Sequence, residues 1–300
     1  MHSFWQPVRK TGFILSLCLL FASIITFYIS PINLGLDFTG GYILDFTLPT
    51  NIQSSDLNVE LAHLTHEAFT LSHIHAHQWR LLFLPSVNAN DVSVFQTALE
   101  SHLNAIIIES KFLGAQVGEE LKVSGVLAAL FAVISILIYL IVRFEWRLAV
   151  SATVALFHDI LITVALLSLL NITFDLTVLA ALLAIVGYSL NDSIIIGDRI
   201  RELIRAKPHQ LVSHSITEAL QSTLRRTLIT SLTTLSTVLA IWLLGGEALN
   251  GFSTALLIGL TAGTLSSVFI SATLPEFMGL GFENYQNHDS DEVKRRLAEP

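Results

Sequence analysis

Six apolar runs in this 300-residue chain are each long enough to cross a lipid bilayer. About 20 apolar residues span the hydrocarbon core, where backbone polar groups must bond to one another. Charged residues make up 13% of the chain, against about 25% in a soluble domain. We therefore predict six transmembrane helices, with these bounds: Thr11–Ser30, Val123–Val142, Leu148–Leu170, Leu176–Gly197, Thr227–Gly246 and Ala248–Leu274.

One polar segment, residues 31–122, separates the first apolar run from the second. Its apolar spacing predicts strands and amphipathic helices in the order β-α-β-α-β. The predicted elements are Tyr42–Leu48, Ser55–Phe69, Trp79–Leu84, Asp91–Leu103 and Ala105–Phe112. This order predicts a small α+β domain of the ferredoxin-like type. The predicted organisation is 1–30 (N-terminus and first helix), 31–122 (outer domain), 123–274 (five helices) and 275–300 (tail).

Lys and Arg are unevenly distributed between the two sides of the predicted membrane. Thirteen of the 16 lie in 1–10, 143–147, 198–226 and 275–300, which alternate helices place on one side. Because Lys and Arg are enriched in cytoplasmic segments, both termini are predicted to be cytoplasmic. The domain at 31–122 is then outside, which means the periplasm in a bacterial cell.

Asp192 lies inside the fourth apolar run, where a carboxylate is costly enough to indicate a function. It follows Leu176 by ~24 Å of helix, which places it in the cytoplasmic third of the membrane. Arg226, at the mouth of the fifth run, lies at a compatible depth. We predict that the two form a pair that responds to protonation. The alternatives are a structural hydrogen bond for Asp192 and interfacial anchoring by Arg225 and Arg226.

His158 and Asp159 form a second polar site in the third apolar run, nearer the midplane. Either a proton relay or a structural hydrogen bond accounts for them. Asn191 either orients Asp192 or bonds across a helix interface.

Two rows of residues predict helix faces. The fifth run carries hydroxyls that form either a polar lining beside Asp192 or helix–helix bonds: Thr227, Thr230, Thr234 and Thr237. The sixth run carries small residues at spacings of four, which predict close helix packing: Ala255, Gly259, Gly263, Ser267 and Ser271.

The outer segment is rich in histidine, with imidazoles at His63, His66, His73, His75 and His77. Three of them would share one face of an extended chain and bind a metal. A polar loop rich in His is the other interpretation, and we favour it. We therefore predict no metal site.

The stretch 35–41 is glycine-rich but lacks the Lys-Ser/Thr ending of a nucleotide-binding loop. It predicts a tight turn from the first helix into the first strand. The chain has no nucleophile–base motif and no basic stripe. An enzyme, a bound cofactor and a nucleic-acid partner are therefore not expected.

Six short motifs together resemble the SecF branch of the SecD/SecF family of protein-export membrane proteins. They are GLDFTGG at 35–41, VGEEL at 117–121, RFEWR at 143–147, FHDILIT at 157–163, VGYSLNDS at 186–193 and DRIRE at 198–202. The resemblance marks as motif residues Gly35, Asp37, Gly40, Gly41, Gly187, Asp198 and Arg199. Two positions depart from the pattern: Gly197 replaces a usual Phe, and Ala115 replaces a usual Pro.

The resemblance implies half of an RND-type transporter in the bacterial inner membrane, surrounded by lipid. It implies SecD and the SecYEG channel as partners, with YajC as a further candidate. The family uses the proton-motive force to draw unfolded exported polypeptides across the membrane and release them. Its charged pair falls on Asp192 and Arg226. The alternatives are a half-RND exporter of lipids or small molecules, and a scaffold subunit without proton chemistry.

Overall fold

The computed structural model describes residues 2–49, 52–65, 67–75, 77–84, 87 and 89–285. The side chains of residues 2–4, 75, 89 and 247 are outside that description. The chain divides into two compact units. One is Leu34–Ala128, and the described residues on either side of it form the other.

Within the described residues, helices and strands follow one another in this order: α1 (His2–Ile29), α2 (Leu36–Thr39), β1 (Gly41–Thr47), α3 (Ser54–Leu64), β2 (Phe69–His75), β3 (Gln78–Phe83), α4 (Ala89–Leu103), β4 (Ile106–Leu113), α5 (Ala115–Arg143), α6 (Trp146–Leu169), α7 (Leu176–Ala206), α8 (Val212–Leu244), α9 (Asn250–Ser266) and α10 (Leu274–Phe277). A 3-10 turn, Glu247–Leu249, precedes α9, and a π-helix, Ser267–Ser271, follows it.

The unit Leu34–Ala128 is a ferredoxin-like α+β domain, which confirms the predicted fold. Its antiparallel sheet has the strand order β2-β3-β1-β4. The succession β-α-β-β-α-β and this strand order define the ferredoxin-like arrangement. Its core joins alternate side chains of the strands to α3 and α4, with Phe46, Trp79, Phe83 and Leu99 each at most 2% exposed.

The predicted helix Ser55–Phe69 is wrong at its end. The helix stops at Leu64, and Phe69–His75 forms β2, which pairs with β3. Phe69 and Leu71 pack against the core from this strand. The loop hypothesis is therefore wrong for the middle of the His-rich segment, where pairing with β3 overrides the weak local signal. His66 lies outside the described residues.

A pair of glycines leads into β1. Gly40 and Gly41 have φ of +66° and +121°, backbone angles that residues other than glycine rarely adopt. A Cβ atom on Gly41 would lie 2.1 Å from the carbonyl oxygen of Phe83. The glycine-rich motif thus lets the backbones of β1 and β3 approach closely.

We expect Gly41→Ala to destabilise the outer domain by about 2 kcal/mol or more, because both the backbone angle and the contact with Phe83 oppose a side chain. Hydrogen exchange of the β1 and β4 amides in the detergent-solubilised full chain measures this loss. Gly114→Ala is the matched control, since a Cβ there would meet no atom within 4 Å. Wild-type protection in Gly41→Ala would contradict this explanation of the motif.

Among the described residues, six helical segments are long and apolar enough to cross a membrane, which confirms the predicted number. They are Trp5–Ile29, Ala115–Arg143, Trp146–Leu169, Leu176–Ala206, Val212–Leu244 and Asn250–Phe277. In the membrane unit α9 packs on α6, α7 and α8, and α1 packs on α6. The α9 segment is thus the centre of the bundle.

Several helix ends differ from the predicted bounds. α5 begins at Ala115, and α8 begins at Val212 rather than near Thr227. α7 continues beyond Gly197 to Ala206. An apolar run marks where a helix crosses the membrane, but the helix continues into polar residues beyond the hydrocarbon.

The predicted sixth helix is interrupted rather than continuous. Its C-terminal part is the π-helix Ser267–Ser271. This form of helix is rare in proteins, and where it occurs it often lies at a functional site. Within it, Phe269 packs against α1, where a Cβ on Gly12 would lie 2.3 Å from the ring. The glycine in α1 therefore accommodates the altered helical turn.

Candidate functional site

Asp159 is fully buried where α6, α7 and α9 meet. Its Oδ2 accepts hydrogen bonds from the hydroxyls of Ser189 on α7, at 2.5 Å, and Ser266 on α9, at 2.8 Å. Its Oδ1 lies 3.0 Å from Nδ1 of His158. One carboxylate therefore joins three membrane helices.

The small residues of α9 make room for this site. A Cβ on Gly263 would lie 3.0 Å from Cβ of Ser189 and 3.4 Å from Oδ2 of Asp159. One turn earlier, Gly259 faces Ile185 of α7, whose Cδ1 would be 2.2 Å from an added Cβ. Ser267, the first residue of the π-helix, is buried and donates to the carbonyl of Thr264 in α9. The face of α9 that approaches α7 thus also accommodates the Asp159 carboxylate.

His158 has one nitrogen bonded and one open. Its side chain is 4% exposed, and Nδ1 faces Asp159. Nε2 is buried and has no hydrogen-bond partner among the described residues. A buried imidazole nitrogen of this kind is a hydrogen-bond donor or an acceptor, depending on the tautomer.

Asp192 lies on α7, three residues after Ser189, and is 2% exposed. The positive charge of Arg226 on α8 acts on its carboxylate. Within the described residues no direct hydrogen bond joins the two. The buried hydroxyls of Ser193 and Thr227, their neighbours in sequence, also lack partners there. The structure therefore brings the predicted pair into electrostatic range while leaving polar groups around it unsatisfied.

Other predicted residues lie apart from this pair. Asn191 is exposed on α7. The hydroxyls of Thr230, Thr234 and Thr237 donate to carbonyls four residues earlier in α8. These three hydroxyls satisfy their own helix instead of lining Asp192 or bonding a neighbouring helix.

The motif residues occupy both units. Gly35 caps α2, and Asp37 lies within it. Gly187 is exposed on α7, and a Cβ there would meet no atom within 4 Å. Further along α7, Asp198 pairs with Arg143 at 2.6 Å.

Charged side chains at the same end of the bundle are paired or packed. Arg199 pairs with Glu202 at 2.6 Å. Tyr285, outside the membrane spans, is buried beneath Arg205, whose guanidinium carbon is 5.8 Å from the ring centre. Burial, followed by the charge of Glu145, raises the pKa of Tyr285 to about 12, so its phenol is neutral at physiological pH.

Several residues that form buried polar contacts carry little signal in the sequence. Ser189 and Ser266 complete the Asp159 site, and their one signal is that small polar residues in apolar helices often bond across helices. Arg9 on α1, 1% exposed, forms an ion pair with Glu276 on α10. That pair joins residues 267 positions apart, a separation that no local pattern indicates.

The histidines of the outer domain do not converge within the described residues. His73 on β2 packs edge-on against Trp79, with 4.5 Å between ring centres. No group of three metal-binding side chains occurs in the part of the chain that is described.

One helix, a ferredoxin-like insertion and five further helices, with carboxylates buried between them, define half of an RND-type transporter. The family model "Protein export membrane protein SecD/SecF, C-terminal" matches residues 94–280, and the "SecD/SecF GG Motif" matches 25–48. The chain belongs to the SecF family of protein-export membrane proteins, which confirms the resemblance in its motifs.

Relatives and solved structures agree with this family. The protein translocase subunit SecF of Vibrio alginolyticus is 40% identical over 92% of this chain and 89% of its own length. That of Escherichia coli O157:H7 is 37% identical, over 89% and 84%. The crystal structure of SecDF, a translocon-associated membrane protein from Thermus thermophilus, matches 90% of this chain at 30% identity with a TM-score of 0.82.

The match covers most of this chain but less than half of the SecDF chain. This chain spans 38% of the SecDF chain in that structure, and 40% in the super-membrane-facing form, where the TM-score is 0.66.

Family membership gives this multi-pass membrane protein an auxiliary role in Sec protein export.

Proposed function

We propose that this chain pairs with a SecD-type subunit and uses the proton-motive force to promote late translocation and release of exported polypeptides. The observation that carries the proposal is Asp192, a carboxylate 2% exposed on a membrane helix and acted on by the charge of Arg226. A buried ionisable residue in a membrane helix is costly to keep and marks proton or ion pathways.

The match with SecDF, which covers 90% of this chain and 38% of the SecDF chain, supports a SecD-type partner. We propose that SecD covers the exposed face of α7 near Asn191 and Gly187. SecYEG would deliver the unfolded polypeptide, and YajC is a further candidate partner. The complex would reside in the bacterial inner membrane, with both termini of this chain in the cytoplasm.

The mechanism begins with a proton that neutralises Asp192 and so removes its attraction to Arg226. α7 and α8 are then free to shift against each other. Because Ser189 of α7 bonds to Asp159, the shift also reaches α6 and α9.

The energy available is sufficient for such a switch. One charge crossing ~100 mV releases ~2.3 kcal/mol. Each unit of pH difference adds ~1.4 kcal/mol, a tenfold change in an equilibrium constant. A proton can therefore shift the populations of two bundle arrangements substantially.

The proposal predicts that the gain in export due to this chain disappears with the proton gradient. Inverted membrane vesicles with and without the chain, supplied with ATP and a secretory precursor, provide the comparison. Adding a protonophore late in translocation should reduce completed export about fivefold in vesicles with the chain, as expected of an allosteric coupling. Vesicles without it should respond much less. A gain from the chain that survives the protonophore would contradict proton coupling.

A further inference from the structure

Helix α5 is the least covered of the six membrane spans in the described part of the chain. Its apolar span is 11% buried, against 17% for Val212–Leu244, 22% for Trp5–Ile29 and 67% for Asn250–Phe277. It is also the helix that continues from the unit Leu34–Ala128 into the membrane unit. Its packing is concentrated at its last turn. Leu140 in that turn, and Phe144 just after the helix ends, belong to the same core cluster as Ile196 and Ile200 of α7.

Four residues fasten this end of α5 to α7, and we call them the α5–α7 joint: Arg143, Phe144, Gly197 and Asp198. A guanidinium nitrogen of Arg143 lies 2.6 Å from Oδ2 of Asp198. The same guanidinium lies over the ring of Phe144, with 5.3 Å between its carbon and the ring centre. That ring covers Gly197, where a Cβ would be 3.3 Å from the nearest ring carbon.

Gly197 is the residue of the joint that has no side chain. The missing side chain leaves the space that the Phe144 ring occupies. A large residue at 197 would have to displace the ring and, with it, the guanidinium stacked on it. The glycine therefore belongs to the joint of this chain.

The joint lies close to the proton site along one rigid element. Asp192 and Asp198 are six residues apart on α7, or about 9 Å along the helix. A rotation or translation of α7 that follows protonation of Asp192 therefore moves Gly197 and Asp198. Because α5 is fastened there and is largely uncovered elsewhere among the described residues, it follows α7.

We propose that the α5–α7 joint transmits the state of the proton site to α5, and so couples proton movement to work on the exported chain. The inference rests on the proposed function. The side chain of Asp198 is 37% exposed and that of Arg143 is 39% exposed. An ion pair at such exposure contributes little to folding. Breaking it should therefore uncouple the protein without unfolding it.

The test measures proton flux and export in the same vesicles containing this chain and its partner subunit. In Arg143→Gln and Asp198→Asn, export should fall about fivefold or more, the lower end of allosteric couplings. Proton flux under the same gradient should stay within about twofold of wild type, since Asp192 and Arg226 are untouched. The reversed pair, Arg143→Asp with Asp198→Arg, should recover at least half of the lost export.

Lys207→Gln is the matched control. It breaks another exposed ion pair between helices, Lys207 with Glu218 at 2.6 Å, which does not involve α5. It should leave the ratio of export to proton flux unchanged. Wild-type export in both single variants would overturn the joint while leaving the proposed function standing. Equal loss of proton flux and export would overturn it as well, because the joint would then belong to the proton site.

Discussion

Asp192→Asn is expected to lower proton-dependent export about 10-fold or more, to the level of membranes that lack the chain. The amide has nearly the shape of the carboxylate but cannot alternate between a charged and a neutral form. With Arg226 no longer held by a charge, α7 and α8 should remain in one arrangement. Export in a strain whose own copy is replaced by the variant measures the loss.

The partner of Asp192 provides a second arm of this experiment. Arg226→Gln should lose a similar amount, and the double variant should be no worse than either single one. Such non-additivity identifies two groups that act as a unit. Glu202→Gln is the matched control, since it removes a carboxylate from the same helix at a site that is 64% exposed.

The scaffold alternative predicts a different result. If Asp192→Ala assembles with the partner subunit and supports full export, then the carboxylate has no proton chemistry in this chain. The exporter alternative predicts normal polypeptide export with loss of a lipid or small-molecule flux.

Asp159→Ala is expected to destabilise the membrane unit by about 3 kcal/mol or more, because buried groups lose their partner. The hydroxyls of Ser189 and Ser266 and the imidazole of His158 all bond to this carboxylate. Thermal unfolding of the purified chain in detergent, followed by tryptophan fluorescence, measures the loss.

Asp159→Asn separates the two roles of this residue. Its remaining carbonyl oxygen still accepts the serine hydrogen bonds, so most of the stability should be kept. A relay role predicts that proton flux nevertheless falls about 10-fold. A stable Asp159→Asn protein with wild-type proton flux would make the site a structural one. Ser101→Ala, an exposed hydroxyl in the outer domain, controls for the handling of the variants.

The sequence predicted the features that depend on local composition. Runs of apolar residues located the six membrane crossings, since no other backbone can cross lipid. Depth along the helix placed Asp192 level with Arg226, and the structure brings them into electrostatic range. Among the described residues, Asp192 and Arg226 form no direct hydrogen bond. The sequence could not predict this, because the geometry of side chains between two helices has no signature in either helix alone.

Features that depend on tertiary contacts were harder to predict. The β2 strand is stabilised by pairing with β3, while its own residues include histidines that interrupt the apolar alternation. The two serines that donate to Asp159 are 30 and 107 residues away from it in the sequence, on two other helices. The start of α8 at Val212 lies in polar sequence, where an apolar pattern no longer marks the helix.

The most direct test of the central claim compares wild type and Asp192→Asn while a proton gradient is imposed on sealed vesicles. Proton release from the vesicle lumen, reported by a pH-sensitive dye, and completed export are recorded together after the ATP-driven phase has ended. The proposed function predicts that the gradient raises both in wild type and neither in Asp192→Asn. An Asp192→Asn complex that still converts the gradient into completed export would contradict it.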